Sequence, residues 1–306
     1  MLHQSAFEGN SPFLKGGLHT HTTRSDGWAD PAVVIRHYHA LGYNFLALTD
    51  HNIYNYKNFA PDMDMLILPG MERDHSLPTP GTHCFHTVCL GPEEGMGNQF
   101  KQDDCFPGHV PVQDQAAYQP ILDGYHAMGN ITLYCHPEWS STPAREFEKL
   151  KGNFAMEIWN SGCALENELD DNAAYWDELL LKGIHISGAA TDDSHDISHC
   201  GLGYVLVKAE RNIPSILQAL KTGAFYSSCG PEIYDFYIDD GHVVLECSPC
   251  LSAGFCHGLL SAKLTRSSKG DVTKAVMKLP EYCNYIRGVV KDSAGRRAWT
   301  NPIYIK

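Results

Sequence analysis

Between residue 13 and about residue 225 the chain alternates short apolar runs with stretches whose apolar positions recur every three or four residues. Asp30-Pro31 opens one such stretch, which carries Val34, Ile35, Tyr38 and Leu41 before Gly42. An acidic cap, a proline at the first helical position and a glycine just past the end are helix start and stop signals. Residues 44–49 then read as a buried strand. The unit returns twice. A helix over residues 115–128 ends at Gly129 and precedes a strand over 131–135, and a helix over 172–182 ends at Gly183 and precedes a strand over 185–190. Repeated strand–helix alternation predicts an α/β fold with a parallel sheet and helices outside it. After Phe225 the helical period disappears. Runs at 234–238 and 242–247 flank Asp239-Asp240-Gly241, and runs at 285–291 and 298–305 flank Ser293-Ala294-Gly295. Both are hairpin signals. The expected organisation is an α/β domain over residues 1–225 and a small antiparallel, sandwich-like β-domain over residues 226–306.

The polar residues with the most chemistry fall at one place in this pattern. Asp50-His51 follows the strand ending at Thr49, and Glu72 follows the apolar run at 65–68. His136 follows the strand ending at Cys135, Asn160 follows the run at 154–159, and Asp192 to His195 follow the strand ending at Ala190. The C-terminal ends of parallel strands share one edge, so residues distant in sequence converge there.

Composition narrows the function. The chain has 306 residues, of which 43% are hydrophobic, and a formal net charge of −13, which disfavours a stable complex with bulk nucleic acid. No apolar run approaches the ~18 residues of a membrane span. Residues 1–17 lack a basic-then-apolar leader, so a cytoplasmic location is expected. Eleven cysteines are scattered through the chain and read as reduced, mostly buried thiols. Cys247, Cys250, Cys256 and His257 have zinc-like spacing, but a second close-spaced ligand pair is missing. The informative excess is histidine, at seventeen residues, many of them beside Asp or Glu in short motifs.

Six motifs carry that excess. Leu18-His19-Thr20-His21 places two histidines at i and i+2, on one face of an extended segment, and Ser25-Asp26-Gly27 follows it. Next come Thr49-Asp50-His51, Gly70-Met71-Glu72, His83 with His86 on an apolar strand, His136-Pro137, and Asp192-Asp193-Ser194-His195. Each taken singly has a plain reading: a polar strand end, a loop cap, an ordinary loop acid. Six together at strand edges point to divalent metal, for which imidazole and carboxylate are suitable donors. His37, His39, His126 and His185 lie within elements and read as structural or solvated.

The ordered set of motifs resembles the PHP (polymerase and histidinol phosphatase) family of metal-dependent phosphoesterases, over about residues 14–226. The segment Arg297-Ala298-Trp299-Thr300-Asn301-Pro302-Ile303-Tyr304 is similar to the C-terminal strand of stand-alone, two-domain members. The resemblance implies a distorted seven-stranded (β/α) TIM-like barrel with a small C-terminal β-domain and two to three divalent ions (Zn, Mn or Fe). Carried over by motif, His19, His21, Glu72 and Asp193 hold the first ion. Glu72 bridges to a second on His86 and His136, and Asp26, His51 and His195 hold a third. His83 is the rival to His86, which is preferred because it precedes the apolar run ending at Gly91. Among these residues His19, His21, Glu72, Asp193 and His195 are the expected catalytic set.

Asp50 and Asp192 read as groups that orient imidazoles. Arg24 is a candidate phosphate clamp by its place between His21 and Asp26, and Asn160 has two readings, a residue facing the mouth or one that closes a turn. Residues 75–83 and 92–108 are candidate access loops. The expected function is hydrolysis of a small-molecule phosphate ester, without membrane or nucleic-acid partners. The rival readings are an amidohydrolase-like C–N or C–O hydrolase and a metal-stabilised binding protein without catalysis.

Overall fold

The structure, a computed structural model, describes residues 3–7, 9–76, 83–91, 100–171, 173–258 and 264–305. It is a mixed α/β fold built on three sheets. Helix Pro31–Ala40 starts where Asp30 accepts the Ala32 N–H at 2.8 Å, and it buries Val34, Ile35 and Tyr38. Helix Gln115–Ala127 is capped by Asp114, and helix Ala174–Leu181 buries Trp176, Leu179 and Leu180. Two further helices, Ser161–Asn167 and Ile213–Thr222, are capped by Asn160 and Asn212. Among the described residues no helix is long and apolar enough to cross a membrane.

A six-stranded sheet runs in the order Ser187–Thr191, Asn153–Asn160, Ile131–Tyr134, Cys84–Leu90, Gly70–Ser76, Val110–Pro111. The expectation of a parallel sheet needs correction here. Strand Cys84–Leu90 is antiparallel to both of its neighbours, Gly70–Ser76 and Ile131–Tyr134. The reason is chain length: only residues 77–83 join it to Gly70–Ser76, fewer than the roughly dozen residues a parallel crossover needs. Part of that connection, and part of the 92–108 segment, lies outside the described residues.

A second, larger sheet holds Phe13–Gly17 parallel to Phe45–Leu46, which is in turn parallel to Leu66–Ile67. On its other side Phe13–Gly17 pairs antiparallel with Tyr204–Lys208, and that sheet continues through Phe225–Ser228, Arg297–Thr300, Tyr285–Lys291 and Ser252–Cys256. Hydrogen bonds beyond the regular ladders extend the larger sheet and link it to the other where the strands end. Thr49 N–H reaches Thr20 O at 2.8 Å within the larger sheet, and Glu72 N–H to Thr49 O and His21 N–H to Ser194 O, both at 3.0 Å, cross between the sheets. Isolated parallel bridges Thr20–Ser194 and His51–Glu72 mark the same junctions. Strand ends from both sheets are thereby stitched into one rim.

The third sheet, Gln4–Ser5, Ile233–Asp239, His242–Cys250 and Val272–Lys278, is antiparallel throughout. It packs Phe236, Val243 and Leu245 against Phe255, Ile286, Val290 and Ala298 of the large sheet. All eleven cysteines are free.

One buried ion pair ties helix Ala174–Leu181 to the C-terminal strands. Arg287, its side chain 3% exposed, donates from Nε and Nη2 to Asp177 at 2.8 and 2.6 Å, beneath Trp176. Removing the carboxylate strands a buried guanidinium, so Asp177→Ala is expected to cost about 3 kcal/mol in urea unfolding, whereas Arg36→Ala, which breaks the exposed pair with Asp62, is expected to leave the unfolding midpoint nearly unchanged.

Candidate metal centre

The rim gathers the sequence motifs. His19 and His21 extend from strand Phe13–Gly17, and both rings are buried. Glu72 sits on strand Gly70–Ser76, and Asp193 follows strand Ser187–Thr191. His19 Nε2 lies 3.3 Å from Glu72 Oε2, 3.2 Å from Asp193 Oδ1 and 3.1 Å from His21 Nε2. His21 Nε2 lies 3.3 Å from Glu72 Oε2 and 3.0 Å from Asp193 Oδ1. A tetrahedral ion with bonds of about 2.0–2.1 Å separates its ligand atoms by about 3.3–3.4 Å. The spacing is that of four donors around one small cation.

Glu72 turns its other oxygen to a second set. Oε1 lies 3.0 Å from His86 Nδ1 and 3.3 Å from His136 Nε2. Asp26 Oδ2 meets a third set, 3.5 Å from His51 Nε2 and 3.4 Å from His195 Nε2. His51 also reaches back, with Nδ1 3.1 Å from Glu72 Oε2. All nine residues named as metal-binding from the motifs meet in this one network. His83 does not: it lines an outer cavity, while His86 faces Glu72.

The orienting residues differ from the expected ones. Glu157, which the motifs did not single out, accepts from His19 Nδ1 at 2.7 Å and from the His136 N–H at 2.8 Å. Asn160 donates its amide to Glu157 and to Asp193 Oδ2, at 2.9 and 3.0 Å. Both stand on strand Asn153–Asn160, three residues apart, and only the fold shows that both reach the rim. Ser140 Oγ holds His136 Nδ1 at 3.0 Å.

Asp50 and Asp192 need correction, because neither touches an imidazole. Asp50 takes the Thr22 N–H and hydroxyl and the Ser25 hydroxyl, fixing the turn that presents Asp26. That turn folds so tightly that a Cβ on Gly27 would fall 2.6 Å from the His21 carbonyl carbon. Asp192 accepts from Tyr38, Ser161 and the N–H groups of Gly201, Leu202 and Gly203. Both are engaged by nearby backbone and hydroxyl donors, and Asp50 reaches His21 only through the Ser25 hydroxyl, whose Oγ lies 3.4 Å from His21 Nδ1. Arg24 pairs with Asp103 and donates to Asn55 at 3.0 Å, so its guanidinium is engaged at the rim.

The electrostatics call for cations. Glu157 is acceptor-only when ionised, so His19 Nδ1 carries the hydrogen and Nε2 presents a lone pair. That lone pair faces two carboxylate oxygens and another ring nitrogen. Asp193 Oδ1 and His51 Nδ1 are buried without an aligned hydrogen bond. Burial pulls the His19 ring down, but Asp193, Glu72 and Glu157 outweigh it and hold it well above the usual range. His86 is likewise opposed by burial and lifted by Glu72 to about 10. Burial pushes Glu72 up, yet His51, His19 and His86 hold it well below the carboxylate range. Donors, lone pairs and orphaned atoms all fit divalent metal.

The backbone is bent to achieve this. His136 and Asp193 have φ of 26° and 45°, in the left-handed region that side chains avoid. Above the cluster opens a cavity of about 630 Å³, walled by Trp28, Trp139, Glu166 and His199. A second lobe of about 500 Å³ shares Asp26, His51, His86 and Trp139 with it.

No family model matches the chain, and no curated protein matches it. Several solved structures do, and they include a PHP-like metal-dependent phosphoesterase. A two-domain protein from Bacteroides vulgatus containing that predicted phosphoesterase is 13% identical, with 93% of each chain covered and a TM-score of 0.44. PsfC from Pseudomonas syringae is 10% identical over 70% of this chain and 90% of its own, with a TM-score of 0.45. An amidohydrolase from Chromobacterium violaceum, crystallised with sulfate and no metal, is 16% identical over 59% of this chain and 87% of its own, with a TM-score of 0.41. The donor set of this chain rests on its own distances.

Two outcomes are expected. Glu157→Gln, which loosens the hold on His19 without removing a donor atom, should weaken Zn²⁺ or Mn²⁺ binding about 10–100-fold in competition with a chelator. The second concerns pH. In the metal-free protein the raised rings carry protons that offset Glu72 and Asp193. That contribution is complete below the unfolded histidine value of ~6.5 and is lost as pH rises through the folded value. A metal replaces those protons, so binding should release them and tighten as pH rises. Calorimetric titration in two buffers of different ionisation heat should give different apparent enthalpies.

Proposed function

We propose that this chain is a PHP-type metal-dependent phosphoesterase that hydrolyses a small-molecule phosphate ester on a distorted seven-stranded (β/α) barrel. The observation that carries the reading is Glu72, whose two oxygens face two different histidine sets while Asp26 gathers a third. His19, His21, Glu72 and Asp193 would hold one ion, Glu72 with His86 and His136 a second, and Asp26 with His51 and His195 a third. Zn²⁺, Mn²⁺ and Fe²⁺ all suit such mixed nitrogen and oxygen donors. Bound there, the ions would supply Lewis acidity and make water acidic enough to act as a nucleophile near neutral pH.

The remaining work belongs to the protein. Glu157, Asn160 and Ser140 hold His19, Asp193 and His136 in place, so that donor geometry is set before substrate arrives. Trp28 and Trp139 wall the cleft above the donors. Among the described residues no Lys or Arg lines either lobe. Anion recognition therefore falls to the cations, which supports a single phosphate group on a small molecule over a nucleic-acid strand. The acidic surface gives the same preference.

The test is turnover of a panel of phosphomonoesters and diesters by the Zn²⁺- or Mn²⁺-loaded protein, with a chelated control. Metal-dependent release of phosphate is expected, reduced at least about 100-fold in Asp193→Asn with the fold intact by circular dichroism. Bound metal with no turnover of any ester overturns the reading.

A further inference from the structure

The second lobe contains a carboxylate–histidine pair that the metal cluster does not use. Strand Gly70–Ser76 carries Glu72 into the cluster, and Asp74, two residues on, points to the same face about 6.8 Å further out. Asp74 lies directly opposite His86 in the antiparallel pairing, which places it beside a donor of the cluster. Its side chain is 3% exposed; Oδ2 accepts the His109 backbone N–H at 3.0 Å, and His109 Nδ1 lies 2.9 Å from the same oxygen.

The loop bearing His109 is built for this contact. A Cβ on Gly108 would lie 3.3 Å from Asp74 Oδ2 and 3.0 Å from Asn52 Nδ2, so the residue before His109 has little room for a side chain. His109 itself has φ of 52°, in the left-handed region. A surface histidine with no task has no need of a buried carboxylate and a strained backbone. With Nδ1 held beside Asp74 Oδ2, Nε2 is the nitrogen left for the cavity that His109 shares with His51 and His86. The ring is 83% exposed, so solvent protons reach it freely.

We propose that His109, positioned by Asp74, donates the proton to the leaving-group oxygen of the ester, and that the second lobe holds that leaving group. The proposal rests on the phosphoesterase reading. In the step, the oxygen of the attacking water forms the new bond to phosphorus and the water gives up one proton. The bond from phosphorus to the leaving oxygen breaks, its electron pair stays on that oxygen, and the oxygen takes the proton from His109 Nε2. The proton released by the water balances the one that solvent returns to His109. Asp74 is a positioning residue: its carboxylate takes the His109 backbone N–H and stands beside Nδ1, leaving Nε2 for the leaving group.

The other lobe offers a rival donor. His199 Nε2 lies 3.5 Å from Glu166 Oε1, and the ring is buried with Nδ1 unpartnered. Its carboxylate contact is looser and its access to solvent protons is poorer.

The test compares an ester whose leaving group is an alkyl alcohol with p-nitrophenyl phosphate, whose leaving group departs without a proton. With metal-loaded protein, His109→Gln should lose about 100-fold or more in kcat/KM on the alkyl ester and roughly threefold or less on the nitrophenyl ester. Asp74→Asn should show the same selective loss, about 10-fold, with metal content unchanged by elemental analysis. A structural role would lower both substrates together. Equal losses on both esters, no loss on either, or selective loss in His199→Gln in place of His109→Gln would overturn the assignment. Failure of the unsubstituted, metal-loaded protein on every ester would overturn the phosphoesterase reading and this assignment with it.

Discussion

The structure depends on a buried carboxylate, Glu72, with a histidine nitrogen of five different rings around it. His19, His21 and His51 approach one oxygen, and His86 and His136 approach the other. A carboxylate buried without compensation costs several kcal/mol, and imidazole lone pairs turned on it add repulsion. The arrangement is sound only when cations, protons or metal ions, sit between donors. The architecture brings those rings in from several strands, with His19 and His21 sharing one, and backbone hydrogen bonds fix the strand ends to one another in the rim.

That requirement explains the local strain. His136 and Asp193 leave their strands in left-handed conformations because a regular strand would carry their side chains past the cluster. The strain is held by contacts that also tune the donors. The His136 N–H is taken by Glu157, whose other oxygen holds His19, and Asn160 joins Glu157 to Asp193. One connected set of hydrogen bonds thus bends the backbone, sets a tautomer and aims a carboxylate. Such a network is held together by all of its members, so substitutions within it should couple.

Above the cluster the two lobes divide the cleft. Trp139 stands between them, on a turn whose Glu138 and Trp139 N–H groups are held by Asp170. The lobes differ in kind: one is walled by tryptophans and short helices, the other by the strand that carries Glu72, with its Asp74–His109 pair. Both take their floor from the same donors, so whatever is bound at the cluster has a wall on either side.

Much of this was legible in the chain because it is local. Capped, amphipathic helices at 31–40 and 115–127, the strands that follow them, and the hairpin at 239–242 are each set by side chains a few positions apart. The donors too were legible, since i, i+2 pairs at strand ends share a face whatever the rest of the fold does. What the sequence could not determine was pairing across distance. The reversed direction of Cys84–Leu90 follows from a short connection, and its place between two strands follows from tertiary packing. Glu157 stands in an apolar strand with no motif to mark it, and it matters only because His19, 138 positions away, arrives beside it. Asp50 and Asp192 sit next to His51 and Asp193 in sequence, yet they serve turns. In an extended segment adjacent side chains point to opposite faces, so neighbours in the chain are separated at the site while distant residues are brought together.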